Sequence, residues 1–352
     1  MDKIERVVAA LTGKTPDMVP YIYNTVMRSV QEQIVGRAIT DPTVDGMNIT
    51  GWLGPPGEKA EIIPSLSAIP DVALRLGMDA IEIQVLPPIF CDYSIQGSDK
   101  FVTSGLIDSE GAYLKACSSM PDPDDEKLLR TIEGMISMYK GDLAMGARVR
   151  LGASPCILSM GLENLAVLYA EEDETLQNTI EMYTDWSRRM NKNLSELDFD
   201  FFWCFDDIAF SSSMLISPAM FRELFKTPMK KAADAIRQPL IFHSDGNYQQ
   251  VLDDIIEIGA DGIHPIEISS MDSRWLKENY GHMLCLVGNI DIDFTLSSGT
   301  PEQVDAEVLE RIGLFGPGGR YIISDSNSIP GFCKAENVIA MAQAVEKYRR
   351  IY

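Results

Sequence analysis

The sequence predicts an α/β protein built as a (β/α)8 TIM barrel. Eight short apolar runs recur along the 352 residues. Amphipathic helical stretches alternate with them, the pattern of a parallel sheet. Polar residues rich in carboxylates cluster just after the apolar runs, where a parallel barrel places its chemistry. The competing architecture, an open doubly wound sheet, is weakened because no G-x-G-x-x-G follows the first strand.

The elements follow in order. Ile4, Val7, Val8 and Leu11 fall on one face of a helix expected over Lys3 to Leu11. The strands are expected at Val19–Tyr23, Ala80–Val85, Ala147–Leu151, Phe201–Phe205, Leu240–His243, Gly262–His264, Met283–Val287 and Tyr321–Ser324. Between them lie a long amphipathic helix over Glu171–Leu194 and a helix over Pro218–Ile236 with Ser217 as its N-cap. Thr300-Pro301-Glu302-Gln303 reads as a capping box with Pro at the first helical position. Gly316–Gly319 is a turn before the last strand, and Glu336–Tyr348 is the closing helix. Residues Gly51–Pro64 and Cys91–Asp108 break the repeat and are expected to lie over the barrel mouth. One barrel domain over residues 1–352 accommodates all of this.

Bulk composition excludes several classes. With 45% hydrophobic and 23% charged residues the chain has an ordinary core-forming balance. No apolar run reaches the ~20 residues of a membrane helix. The N-terminus enters a helical pattern directly, with no apolar leader core, so a cytoplasmic protein is expected. A net charge of −22 argues against nucleic acid as a partner and against a polyanionic substrate. The six cysteines form no C-x-x-C pair and are expected to be free thiols. Most are expected to be buried, and Cys333, in a Gly-containing loop, is the exception.

The strand ends supply the candidate site. The stretch LIFHSDGN ends a buried strand in His243, Ser244 and Asp245, in a chain with three histidines. Tyr23, Asn24 and Arg28 follow the first strand, Gln84 the second, and Asp206 and Asp207 the fourth. His264 and Glu267 follow the sixth, Asn289 and Asp291 the seventh, and Asp325, Ser326 and Asn327 the eighth. Two readings stand for most of them. Asp206 and Asp207 either face the mouth or cap the next turn. His243 is either a ligand or acid–base group, or a core histidine bonded to a carbonyl. His264 before Pro265 fits a plain strand end, and His282 sits on the opposite side of the barrel. His243, Asp245, Glu267 and Cys333 could hold a metal, with zinc as the ion considered. The metal-free alternative has His243 as general acid or base, oriented by Asp207 or Glu267.

Several stretches, in this order, resemble the uroporphyrinogen decarboxylase-like superfamily. They are ALTGKTPDMVP, RLGMDAIEI, CFDDIAFSSSMLISPAMF, FHSDGNYQQVLDDIIEIGADGIHPIE, LVGNIDI, SGTPEQV and SNSIPGFCKAENVIAM. The resemblance spans nearly the whole chain and implies a (β/α)8 barrel. It also implies one of two activities, tetrapyrrole decarboxylation or methyl transfer to or from a corrinoid protein. The decarboxylases carry an R-Q-A-G-R-Y segment after the first strand, where this chain reads YIYNTVMRSV and keeps only Arg28. They also place an aspartate after the second strand, where this chain has Gln84. The methyltransferases carry an H-x-C zinc site with a later Cys. Here His243 stands in its place, Asp245 replaces the Cys, and Ser326-Asn327 lies near the later position with Cys333 beyond.

The resemblance therefore implies an oxygen-rich site suited to demethylating a small O-methylated, in one version aromatic, substrate. Its methyl acceptor would be a corrinoid carried by a partner protein. The expected catalytic groups are His243, Asp207 and Glu267. The expected substrate contacts are Tyr23, Asn24, Arg28, Gln84, Asp206, Asn289 and Asn327. A homodimer is compatible with this reading. The alternatives are a decarboxylase acting on a porphyrinogen or another carboxylate, and a non-catalytic ligand or corrinoid-binding module.

Overall fold

The computed structural model describes residues 1–40, 51–96 and 99–352. Its strands in chain order are β1 (Leu53–Gly54), β2 (Ser65–Leu66), β3 (Ala80–Gln84), β4 (Ile89–Gln96), β5 (Asp99–Gly105) and β6 (Ala144–Val149). They continue with β7 (Phe201–Phe205), β8 (Leu240–His243), β9 (Gly262–His264), β10 (Cys285–Ile290) and β11 (Tyr321–Asp325). One eight-stranded sheet runs in the order β11-β10-β9-β8-β7-β6-β3-β2. From β3 to β11 every neighbouring pair in it is parallel, and β2 runs antiparallel to β3. Helices fill the crossovers, as parallel neighbours require. The sheet is curled and resembles a TIM barrel.

The expected first strand, Val19–Tyr23, is a correction: it forms a bridge rather than a ladder. Ile323 N–H donates to Pro20 O (2.9 Å), Ile22 N–H to Ile323 O (3.1 Å) and Asp79 N–H to Tyr21 O (2.7 Å). Pro20 has no N–H to offer, and Tyr21 N–H is taken by the Asp79 carboxylate (2.8 Å) instead of a strand carbonyl. The segment nevertheless sits between β11 and the start of β3.

Alternate residues of the strands point inward. Phe201, Trp203 and Phe205 of β7 meet Ile241, Cys285, Val287 and Ile322, and Val7, Ala10 and Leu11 of the first helix pack against the same cluster. The other parity, Phe202, Cys204, Phe242, Ile263 and Leu286 among them, packs outward in the main core beneath the helices. Gly146 is needed in the inner layer, because a Cβ there would lie 2.5 Å from the Phe201 ring and 2.8 Å from Glu82.

Other boundaries shift for local reasons. The long helix spans Glu174–Ser195 rather than starting at Glu171, because Asp173 caps it by accepting from Thr175 N–H (2.7 Å). The expected helix Pro218–Ile236 is three pieces: Pro218–Phe221, a π-helical turn at Arg222–Lys226, and Thr227–Ala233. Pro228 lacks the N–H that would continue a regular ladder, which accounts for the bulge. The third and seventh expected strands move to Ala144–Val149 and Cys285–Ile290. Of the two excursions, Gly51–Pro64 contains β1, which pairs in parallel with β4. Cys91–Asp108 is mostly the β4–β5 hairpin, with residues 97–98 outside the described residues. Cys333 is buried at 2% exposure, against expectation, because its loop folds back under Pro330 and Ile292. No single helix among the described residues is long and apolar enough to cross a membrane.

Candidate active site

The register of the sheet puts three rings in a row. Phe205 is paired with His243 across β7–β8, and His243 with His264 across β8–β9. All three residues end their strands facing inward, so the rings stack. Phe205 and His243 lie 4.4 Å apart with planes at 27°, and His243 and His264 lie 4.9 Å apart, also at 27°. Trp203 meets His264 edge-on at 4.8 Å. Nδ1 of His243 is 2.7 Å from Nδ1 of His264, and Nε2 of His264 is 3.2 Å from the Asp325 carbonyl. Both imidazoles are buried. Burial, reinforced by Arg148 and Arg150, holds His243 well below the usual imidazole value. Burial and then the neighbouring His243 do the same to His264.

The outward nitrogen of His243 faces two carboxylates. Nε2 lies 3.5 Å from Asp207 Oδ1 and 3.6 Å from Asp245 Oδ1. One ligand atom from each of the three residues lies within 4.8 Å of the others. The loop after β8 is locked around them. Asp245 N–H donates to Asp207 Oδ1 (3.0 Å), Asn327 Nδ2 to Asp245 Oδ2 (2.8 Å) and Gly246 N–H to Glu267 Oε2 (3.0 Å). Gly246 has φ of +80°, and a Cβ there would lie 2.2 Å from the Phe210 carbonyl oxygen, so only glycine fits the turn.

Above this group opens a cavity of about 1040 Å³. Asp207, Asp245, Glu267 and Asn327 line it, and among the described residues seven carboxylates on its wall accompany one cation, Arg311. Leu158, Phe210, Leu215, Ile268 and Ile292 give it an apolar side. The side chains of Asp207 and Asp245 are 46% and 43% exposed. Depth in the protein raises the Asp207 carboxyl from its ordinary value. Depth, then the charges of Asp207 and Glu267, raises Asp245. Both side chains open onto the cavity, so for Asp245 the crowding by Asp207 and Glu267 is the durable part.

Below the group lies a second polar layer that the sequence reading passed over. Arg148, 2% exposed, donates from Nε to Glu82 Oε2 (2.9 Å), bonds the Asn24 side-chain oxygen (2.6 Å) and carbonyl, and stacks over Phe205 at 4.2 Å. Arg150 bonds Ser154 Oγ. Burial pushes Glu82 up to about 7 against the pull of Arg148, and burial pushes Asp325 to about 7. The signal in the sequence was Arg148 and Arg150 at alternate positions of the otherwise apolar run Ala147–Leu151, with Glu82 in β3 beside β6.

The predicted residues divide accordingly. Asp207, His243 and Asp245 converge, while Glu267 and Asn327 line the same cavity. Glu267 and Cys333 lie outside the three-ligand group, and Cys333 Sγ points to the Ile292 carbonyl at 3.9 Å. Tyr23 is 1% exposed and directs its hydroxyl toward the Val338 carbonyl (3.4 Å), because its strand parity turns it to the helices. Asn24 is buried, with its N–H on Asp325 Oδ1 (3.1 Å) and its amide on the Asn327 carbonyl. Arg28 begins a helix and bonds the Ile39 carbonyl (2.9 Å). Gln84 lines a separate cavity of about 360 Å³ beside the hairpin. Asp206 is fully buried and straps the segment that follows β6, accepting from Leu151 N–H (2.5 Å) and Ser154 N–H (2.7 Å). Asn289 is buried on the Ile266 carbonyl (2.7 Å).

Comparison with known proteins adds three findings. The profile of the family described as uroporphyrinogen decarboxylase (URO-D) matches residues 153–348, more than half of the chain and including every residue of the converging group. No curated protein matches. Among solved structures, a methyltransferase from Methanosarcina mazei is similar at 18% identity with a TM-score of 0.74, covering 99% of each chain. At that identity the likeness speaks for the fold.

Proposed function

The chain belongs to the uroporphyrinogen decarboxylase (URO-D) family, and from that premise we propose that it is a methyltransferase that demethylates a small O-methylated substrate and passes the methyl group to a corrinoid protein. The convergence of Asp207, His243 and Asp245 at the floor of an acidic, half-apolar cavity carries this reading. The likeness to a solved methyltransferase over 99% of the chain supports it. We read the sheet as a closed barrel, with residues 19–23 as the stave between β11 and β3, and the site as its mouth.

The residues present fit a divalent cation. One imidazole nitrogen and two carboxylate oxygens converge at distances too long for good hydrogen bonds, and no cysteine is among them. That donor set suits a hard or borderline ion such as Zn²⁺. A cation held there would supply Lewis acidity toward the ether oxygen of the substrate. The protein's own groups do the rest. Asn327 and the Asp245 backbone fix the two carboxylates in place, and the stacked Phe205 holds the His243 ring. Phe210, Ile268 and Ile292 offer an apolar wall to the body of the substrate and keep water from it.

The test is metal analysis of the purified chain together with a methyl-transfer assay using an aryl methyl ether and a reduced corrinoid protein. Stoichiometric metal, and transfer abolished in His243→Ala, are expected. Full activity on a tetrapyrrole carboxylate with no methyl transfer would refute the proposal.

A further inference from the structure

We infer that His264 is a positioning residue that dictates which nitrogen of His243 faces the two carboxylates. The inference rests on reading Asp207, His243 and Asp245 as a metal centre. It concerns a residue that contacts none of the cavity and whose place before Pro265 suggests only a strand end.

A backbone carbonyl can accept a hydrogen bond but not donate one. The Asp325 carbonyl therefore requires a proton on Nε2 of His264, 3.2 Å away. A neutral imidazole carries one N–H, so Nδ1 of His264 is left with a lone pair. The Nδ1 of His243, 2.7 Å from it, must then be the donor. That places the lone pair of His243 on Nε2, the atom 3.5 and 3.6 Å from Asp207 and Asp245. Reversing the direction would put a proton on Nε2 and deny a cation its only nitrogen ligand.

Neither ring can turn to escape this assignment. His264 is 0% exposed and held edge-on by Trp203 at 4.8 Å, and His243 is 3% exposed beneath Phe205 at 4.4 Å. The anchor at the far end belongs to the main chain of β11, so the fold itself sets the direction. Metal-bound histidines usually donate their second N–H to a carboxylate, carbonyl or water, which orients the ring and makes it a better ligand. A second, neutral histidine takes that place here. It orients the ligand without adding charge, so the donor set keeps the two negative charges that match a divalent ion.

With three histidines in the chain, and His282 exposed as a reference, imidazole nitrogen NMR on the whole protein is readable residue by residue. Without metal, His243 is expected as the Nδ1–H tautomer and His264 as the Nε2–H tautomer. Zn²⁺ affinity is then measured by competition with a chelator. His264→Leu removes the acceptor at similar bulk and is expected to weaken Zn²⁺ binding roughly 10–100-fold. His264→Asn keeps an oxygen acceptor near the Nδ1 position and is expected to recover most of that loss, although both variants lose the Trp203 contact and comparable stability. His243 found as Nε2–H, or Zn²⁺ affinity equal in wild type and His264→Leu, would overturn the inference. A wild type that binds no Zn²⁺ yet shows the expected tautomers would overturn the metal reading and leave the positioning role standing.

Discussion

Asp245→Asn separates a metal centre from a merely acidic loop, because its two effects have opposite signs. The ligand atoms of Asp207 and Asp245 lie within 4.8 Å. Unit charges at that separation repel by about 3.5 kcal/mol at an effective dielectric near 20, and by about 1 kcal/mol at that of water. Both side chains are more than 40% exposed to the cavity, so screening places the repulsion near the lower figure, about 1 kcal/mol. Asparagine removes it while keeping an oxygen for Asn327 to bond. Without metal, the variant should therefore melt about 1–2 °C higher than wild type in a domain of this size. With Zn²⁺ present the order should invert. Loss of a direct ligand should cost more than the roughly 10–100-fold that outer-shell losses cost. The sign with pH follows from the direction in which Asp245 is shifted. Its carboxyl is raised by burial and by Asp207 and Glu267, so its charge, and the repulsion, develop as the solution becomes alkaline. The metal-free advantage of asparagine should grow from pH 6 to pH 9. The measurement is thermal denaturation at those two pH values, with chelator and with Zn²⁺. A metal-free variant less stable than wild type at pH 9, combined with unchanged Zn²⁺ stabilisation, would show that the two carboxylates neither crowd each other nor hold a cation.

Other substitutions probe the layer beneath. Asp325 holds its proton up to about 7, from an ordinary value of 3.8, so its contribution to stability is full below pH 4 and is lost as pH rises to 7, by up to about 4 kcal/mol. Asp325→Asn should flatten that slope in urea unfolding, with a residual slope from Glu82, which titrates over the same window. Arg148→Met strands Glu82 and should cost about 3–5 kcal/mol, whereas Arg148→Met with Glu82→Leu should regain most of the loss, as measured by denaturant midpoints. Asp206→Ala leaves the Leu151 and Ser154 N–H groups unpaired and should cost about 1–3 kcal/mol for each. Folded Asp206→Ala protein should keep the KM of wild type, and a raised KM would restore Asp206 as a substrate contact.

The sequence carried the alternation of strands and helices well because that pattern depends on burial, which residue type reports directly. It carried the ends of β7 and β8 for the same reason, since FFWCF and LIFH are unbroken apolar runs closing on polar residues. It failed where pairing depends on partners distant in the chain. Val19–Tyr23 reads as a strand by composition, but the ladder bond at Tyr21 is replaced by Asp79, 58 residues away. Tyr23 was misplaced for want of its parity, which a strand shortened to a bridge does not declare. Glu267 and Cys333 sit at the right heights in the chain to join His243. The course and length of a loop, however, decide which ligand atoms meet, and these loops give Glu267 to the Gly246 N–H and Cys333 to the core. Arg148 was passed over because a basic residue in an apolar strand reads as noise until Glu82 is placed beside it.

The placement of charge in layers also bears on the substrate. Arg148 lies below His243, buried and already committed to Glu82 and Asn24, so it offers no free face to an anion entering from above. The open cavity presents seven carboxylates and Arg311, and Arg311 is itself shared between Glu307 and Glu310 at 3.3 Å each. A substrate with several carboxylates would meet repulsion on entry and, among the described residues, find no unpaired cation on the cavity wall to offset it. A neutral ether meets neither obstacle, and the apolar side of the cavity adds favourable burial for its carbon skeleton. The cavity thus suits a neutral substrate better than a polyanionic one, which is consistent with the ether demethylation proposed above. In the proposed demethylation the charge would develop at the oxygen leaving group, where the two carboxylates alone would oppose it; a cation held by Asp207, His243 and Asp245 would supply the stabilisation that accelerates a reaction rather than merely tightening binding.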